Sequence, residues 1–325
     1  MNDLLLYQLP GSKEVICAKG SWLKSDLNLL PEGCFFVTNF DKSSVYYFEI
    51  KENCSLLEID GLVCLENSTV PILSKDDYLF ECDRFKADFE RFGITKAILS
   101  RVKQVGRGWK SLGNVFTDLV SNYGDRAFVY LVSSNHFGTW MGATPEILIR
   151  GDERSLESMS LAGTKLSAST VWTNKEKEEQ QLVTDFVKEQ ILLSNPSNFI
   201  ESPVETVSTG AVYHLCTRFS FSLSQLHWGV LMNSLHPTPA VCGLPRDQAL
   251  SLIAKHEKHN RGLYTGLIGY KGSERLDVFV NLRCMEVRDT NFLLHIGGGI
   301  TKRSVPEKEW EETENKANTL VRVLL

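Results

Sequence analysis

Over residues 1–75 the apolar positions fall in short runs, such as Cys34-Phe35-Phe36-Val37 and Val45-Tyr46-Tyr47-Phe48-Glu49-Ile50, broken by polar turns. Runs of aromatic and β-branched residues of this length predict strands. No chemistry-bearing cluster stands out there, and the segment reads as scaffold. Residues 76–93 carry a helical period and lead into Ile94-Thr95-Lys96-Ala97-Ile98-Leu99-Ser100-Arg101, a strand candidate with a period of two. The pattern then predicts a helix at 108–122, strands at 127–133 and 146–150, and a loop around Gly163. Helical spacing returns from Lys175 to Leu193. Strands follow at 200–207 and 219–222, a helix at 246–256, strands at 262–270, 277–287 and 292–296, and a closing helix at 306–323. Helices and strands interleave with no Pro/Gly/Ser linker and no repeat, which predicts one large α+β domain over 1–325.

Two of these helices carry carboxylates in unexpected places. In the first, Leu182, Val183, Phe186 and Val187 define the buried stripe, and Glu179 falls within it because Leu182, Val183 and Phe186 are its i+3, i+4 and i+7 neighbours. A buried carboxylate must be paired, protonated or bound to a cation. An exposed first-turn glutamate is the bland alternative. In the last helix Glu309, Glu312 and Lys316 share one face beside the stripe of Trp310, Ala317, Leu320, Val321 and Leu324. A surface Glu–Lys ladder accounts for that face equally well. Three carboxylates with few thiols or imidazoles nearby would suit a hard, oxygen-seeking ion such as Mg²⁺.

Gly297, Gly298 and Gly299 follow the strand at 292–296, where their N–H groups can face an anion or simply make a turn. Arg283 and Lys96 read as mid-strand charges that need a partner, a ligand or an edge open to water. His236 precedes the rigid Pro237-Thr238-Pro239. His256 and His259 share a helical spacing, but Lys255, Glu257 and Lys258 mark a solvated helix end and argue against zinc.

Composition excludes more than it proposes. Hydrophobic residues are 42% and charged residues 23%, an ordinary globular profile with no run approaching the ~18 apolar residues of a membrane span. The net charge of −5 with no basic block disfavours a nucleic-acid partner. Eight cysteines lie scattered without a C-x-x-C pair, which argues against zinc and against a disulfide framework, and together with an N-terminus lacking a signal-peptide pattern predicts a cytoplasmic setting.

With these residues in hand, the chain resembles the chorismate-binding enzymes, and among them the isochorismate synthases. Lys96-Ala97-Ile98-Leu99-Ser100-Arg101 is similar to the family's K-V-V-L-S-R strand, Gly142-Ala143-Thr144-Pro145-Glu146 to G-A-[ST]-P-E, and Leu161-Ala162-Gly163-Thr164 to L-A-G-T. Lys175 to Val183 resembles K-D-R-x-E-H-x-x-V, with Gln180 in place of the histidine. His214-Leu215 matches an H-L pair. The loop from Leu235 to Gly243, with His236 and Ala240, resembles that of the isochorismate-forming branch. Arg261-Gly262-Leu263-Tyr264-Thr265-Gly266 is similar to R-G-W-Y-A-G, Gly297 to Ile300 to G-A-G-I, and Glu309 to Thr313 with Lys316 to E-W-x-E-T-x-x-K. The pieces keep the family's order from residue 96 to the C-terminus.

The resemblance implies two antiparallel β-sheets wrapped by helices, with residues 94–325 the catalytic part and 1–75 a divergent N-terminal scaffold. It implies Mg²⁺-dependent conversion of chorismate to isochorismate, by water addition at C2 and loss of the C4 hydroxyl. Lys96 would be the general base and Glu146 the general acid, which requires a lowered lysine and a raised glutamate pKa. Glu179, Glu309 and Glu312 would hold Mg²⁺. Thr164, His236, Ala240, Tyr264, Arg283, Gly297, Gly298, Gly299 and Lys316 would bind the substrate. The alternatives are a sister activity, such as salicylate, anthranilate or aminodeoxychorismate synthase, and a non-catalytic chorismate-binding protein.

Overall fold

The computed structural model of the chain describes residues 3–56, 59, 62, 69–152, 154–223 and 227–325. The aromatic runs near the N-terminus form β1 (Asp3–Gln8), β2 (Ile16–Ser25), β3 (Cys34–Thr38) and β4 (Val45–Asn53). Helices α1 (Lys75–Ala87) and α2 (Phe89–Phe92) follow. Ser74 and Asp77 cap the first reciprocally, and Gly93 closes the second in a left-handed turn at φ 64°. Then come β5 (Lys96–Gly106), α3 (Leu112–Tyr123), β6 (Phe128–Ser134), β7 (Gly138–Thr144), β8 (Ile147–Asp152) and β9 (Ser155–Lys165). The middle of the chain adds α4 (Asn174–Leu193), β10 (Ser197–Glu201), β11 (Glu205–Ser208) and β12 (Tyr213–Ser222). After these lie α5 (Trp228–Leu235), β13 (Gly243–Leu244) and α6 (Arg246–His256). It closes with β14 (Leu267–Lys271), β15 (Arg275–Val280), β16 (Cys284–Val287), β17 (Asn291–Thr301) and α7 (Pro306–Leu324).

Every described strand pairing is antiparallel. The pairings trace one ribbon, β13–β5–β17–β16–β7–β6–β1–β2–β4–β3–β14–β15–β8–β9–β12, with β10 and β11 both on the far side of β12. The ribbon folds over at β2 and β4, so the two expected sheets are the two layers of one hydrogen-bonded network. Leu5, Phe128, Tyr130 and Trp140 of the first layer meet Phe35, Ile147, Ile268 and Phe279 of the second in the core between them. Helices α3 and α7 cover the outer face of the first layer, and α4 and α5 that of the second. Both faces of the central strands are therefore buried, and every residue of β6 and β7 is shielded from water.

Several sequence expectations change. Gly163 lies inside β9, not in a loop, and β7 and α5 were not anticipated. The strand expected over 277–287 is two strands in different layers, broken at Asn281-Leu282-Arg283. Gly297, Gly298 and Gly299 do not follow β17 but lie within it, paired with Ser100, Leu99 and Ile98 of β5. The end of α6 is solvated at Lys255 and Lys258, but His256 itself is buried between Glu81 and Asp88, at 2.6 and 2.8 Å. Cys17 and Cys54 form a disulfide, correcting the expectation of unpaired thiols. The β2–β4 pairing, Ala18 opposite Asn53, brings them together across 37 residues with no local motif to announce it. Five cysteines are free and buried, and Cys64 lies outside the described residues. No helix among the described residues is long and apolar enough to cross a membrane.

Candidate active site

Two segments cross side by side between the layers, and the site is built on them. Thr144-Pro145-Glu146 leads from β7 to β8, and Asn281-Leu282-Arg283 from β15 to β16. Val280 N donates to Glu146 O at 3.0 Å, and Leu282 N to Thr144 Oγ1 at 3.3 Å. Arg283 adopts φ 48°, a left-handed conformation that costs about 1 kcal/mol outside glycine. Its neighbours hold it there. Asn281 accepts from Tyr130 Oη at 2.7 Å and donates to Leu263 O at 2.8 Å, while Ala143 N donates to Arg283 O at 3.1 Å. Gly142 is required opposite, since a Cβ there would stand 2.9 Å from that carbonyl.

These crossovers open into a pocket between the β5/β17 edge of one layer and the β9/β12 edge of the other. Lys96 from β5, Glu146 and Arg283 from the crossovers, Thr164 from β9 and Glu179 from α4 line it. So do Ala240, Tyr264, Gly297, Gly299 and Lys316. Four of the expected residues lie elsewhere. His236 is fully buried behind the wall, its Nε2 2.7 Å from Thr265 O, so it braces the loop beside Ala240 and does not line the pocket. Gly298 faces α7, as the alternation of a strand dictates for the residue between Gly297 and Gly299. Glu309 and Glu312 line an adjoining cleft that shares Thr164 with the pocket.

Charge in the pocket is finely paired. Lys96 Nζ lies 2.9 Å from Glu179 Oε1, with side-chain exposures of 1% and 13%. Burial pushes Glu146 up to about 7, against the pull of Lys96, Arg283 and Lys316. Burial likewise raises the Tyr264 phenol. Arg283 Nε is buried without a hydrogen-bond partner, a donor left for a ligand.

His214 is the residue that sequence reasoning quoted but gave no role. Its Nδ1 lies 2.5 Å from Gly163 O and its Nε2 3.2 Å from Arg283 Nη2. Burial, with help from Arg283 and Lys316, drives its pKa down to about 3. The ring is thus neutral, donating through Nδ1 and accepting from Arg283 through Nε2. A histidine in the apolar run Tyr213 to Cys216 was the available signal.

The glutamates offer oxygen donors of the kind Mg²⁺ prefers. Glu309 Oε2 is buried with no partner. The missing side chain of Gly298 leaves Glu309 Oε2 and Glu312 Oε1 3.7 and 4.0 Å from the point a Cβ would occupy, and a Cβ on Gly299 would overlap Glu179 Oε1. The donor set therefore fits a hard divalent cation. Yet no three metal-ligating side chains converge at binding distance among the described residues. Each glutamate is instead held by a lysine: Glu179 by Lys96 at 2.9 Å, Glu309 by Lys175 at 2.7 Å and Glu312 by Lys316 at 2.7 Å. Burial, then Glu312, raises the Glu309 carboxyl; burial would raise Glu312 too, but Lys316 holds it low.

Behind the pocket Arg261 ties the walls together. It donates to Val241 O at 2.8 Å and Ile98 O at 3.2 Å, and pairs with buried Glu257 at 2.7 Å. Arg261→Lys keeps the charge but not the fork, and is expected to cost about 2 kcal/mol of stability in urea unfolding. A change under about 0.5 kcal/mol would show that this network is not structural.

A family profile described as chorismate binding enzyme matches residues 66–325. The isochorismate synthase EntC of Escherichia coli (strain K12) is 28% identical over 243 residues, covering 71% of this chain and 62% of that protein. The vibriobactin-specific isochorismate synthase of Vibrio cholerae is 30% identical over 249 residues, covering 72% and 62%. This chain thus spans less than two thirds of the length of either relative. Among solved structures, a putative 2,3-dihydroxybenzoate-specific isochorismate synthase, DhbC from Bacillus anthracis, superposes with a TM-score of 0.82 at 21% identity, covering 99% of this chain and 96% of that one.

Proposed function

The chain belongs to the chorismate-binding enzymes, and from that premise we propose that it converts chorismate to isochorismate, adding water at C2 and expelling the C4 hydroxyl as the diene shifts. The observation that carries this reading is the pairing of a buried lysine with a buried, readily protonated glutamate in one pocket. Lys96 takes a proton from the attacking water, and Glu179 beside it accommodates the ammonium that forms. Glu146 gives its proton to the departing hydroxyl, which leaves as water. The proton lost at one end is gained at the other, as an isomerisation requires.

Arg283 and Lys316 supply charge for the two substrate carboxylates, and Gly297 and Gly299 keep the strand wall low enough for a ring to approach. Mg²⁺ held by Glu179, Glu309 and Glu312 would neutralise and polarise the ring carboxylate.

Incubation with chorismate, with and without Mg²⁺ and ammonium, tests the reading by product analysis. Isochorismate alone is expected, lost on treatment with EDTA and restored by Mg²⁺. Salicylate with pyruvate, or an aminated product, would move the protein to a sister activity. Binding without turnover would make it a non-catalytic chorismate-binding protein, and turnover that survives chelation would remove the metal.

A further inference from the structure

We infer that Lys175 is a built-in cation of the three-glutamate cluster, holding the place that a divalent ion takes over. The inference rests on the function proposed above only in treating Glu179, Glu309 and Glu312 as that ion's ligands.

Geometry singles out this lysine from the three that face the cluster. Lys96 is 1% exposed and Lys316 is 13% exposed, and Lys316 is also fixed by a 3.0 Å bond to Gly297 O. Neither has room to leave. Lys175 is 30% exposed and sits in the first turn of α4, where it borders two open clefts of about 980 and 1230 Å³. Its flexible four-carbon stem can swing the ammonium out to water on either side.

Lys175 is also shared among the three carboxylates. Its Nζ lies 2.7 Å from Glu309 Oε1, and the charges of Glu179 and Glu312 act on the same ammonium. The independent sign of a missing ligand is the other oxygen of Glu309, buried and without a partner beside Gly298. One ammonium satisfies one oxygen of that carboxylate and leaves the second waiting. A divalent ion held by the cluster would satisfy it.

The arrangement has a physical purpose. Carboxylates gathered in a half-buried site repel one another unless a cation stands among them. Lys175 supplies that cation before the ion arrives, so the cluster stays assembled, and in exchange it competes with the ion for Glu309. Removing its charge should loosen the metal-free protein and tighten metal binding.

Lys175→Gln keeps a hydrogen-bond donor for Glu309 and deletes only the charge; Lys175→Met and Lys175→Arg complete the series. Mn²⁺ binding is read by electron paramagnetic resonance without chorismate, alongside thermal unfolding with and without Mn²⁺. The glutamine and methionine variants are expected to bind Mn²⁺ about tenfold tighter than the wild type. Both should melt at a lower temperature when metal-free, with the gap closing at saturating Mn²⁺. Lys175→Arg should behave like the wild type. Equal or weaker Mn²⁺ binding by both uncharged variants overturns the inference while leaving the metal-dependent function standing. If the wild type and variants bind no Mn²⁺ even with chorismate present, the inference and the metal reading fail together.

Discussion

Lys96→Gln is expected to lower kcat for isochorismate formation by about a thousandfold, within the range that a positioned base contributes. The glutamine amide can still donate toward Glu179, so the ion pair becomes a hydrogen bond and the buried carboxylate is not abandoned. Circular dichroism should therefore be unchanged and chorismate affinity close to that of the wild type. Lys96→Arg separates the two roles a lysine can play here. It keeps a positive charge beside Glu179 but cannot be neutral near pH 7, so it cannot accept a proton from water. Both variants should be inactive. Turnover retained by Lys96→Arg would mean that the charge matters and the base lies elsewhere; turnover retained by Lys96→Gln would remove Lys96 from the chemistry altogether.

What could be read along the chain was what local periodicity controls. Glu179 was placed on the inner side of α4 by its i+3, i+4 and i+7 neighbours, and Glu309, Glu312 and Lys316 on one face of α7. In the structure Lys316 pairs with Glu312 at 2.7 Å, four residues away, as helical spacing requires. Local pattern fails where layers meet. Asn281 to Arg283 looked like the middle of a strand because both flanks are apolar, and nothing local reveals that β15 and β16 belong to different layers. The same blindness hid the partnership of His214 with Arg283, whose positions are 69 residues apart.

Glycines misled in the opposite direction. Three in a row read as an anion-facing or turning segment after the strand, yet in β17 they are the means by which Tyr264 and Glu179 approach one face and α7 the other. Lys175 carried no signal beyond its place in a motif, since its meaning depends on three carboxylates from two helices. His236 shows the converse error. The resemblance put this histidine, set before rigid prolines, at the substrate, whereas folding turns it inward onto Thr265 O. Side-chain chemistry is legible in a sequence when one helix or strand supplies the whole arrangement, and it is lost when the ribbon must first fold over.

Glu146→Gln is expected to abolish turnover and yet stabilise the protein at alkaline pH. Burial raises this carboxyl from its ordinary 4.5 to about 7, so in the folded protein the neutral form is favoured. Between these values the folded state keeps a proton that the unfolded chain has released, and stability must fall as pH rises through the window. Glutamine mimics the neutral acid and has no proton to lose. The variant should therefore match the wild type near pH 4 and exceed it at pH 8 by roughly 3 kcal/mol, the order set by the displacement of the carboxyl. Urea denaturation at a series of pH values measures this directly. In the wild type, kcat/KM should decline as pH rises above about 7, because an ionised Glu146 cannot protonate the leaving hydroxyl. A variant with wild-type turnover would strip Glu146 of the acid role. An unchanged pH dependence of stability would show instead that its carboxyl is ionised in the folded protein, and that the pocket is wetter than its packing implies.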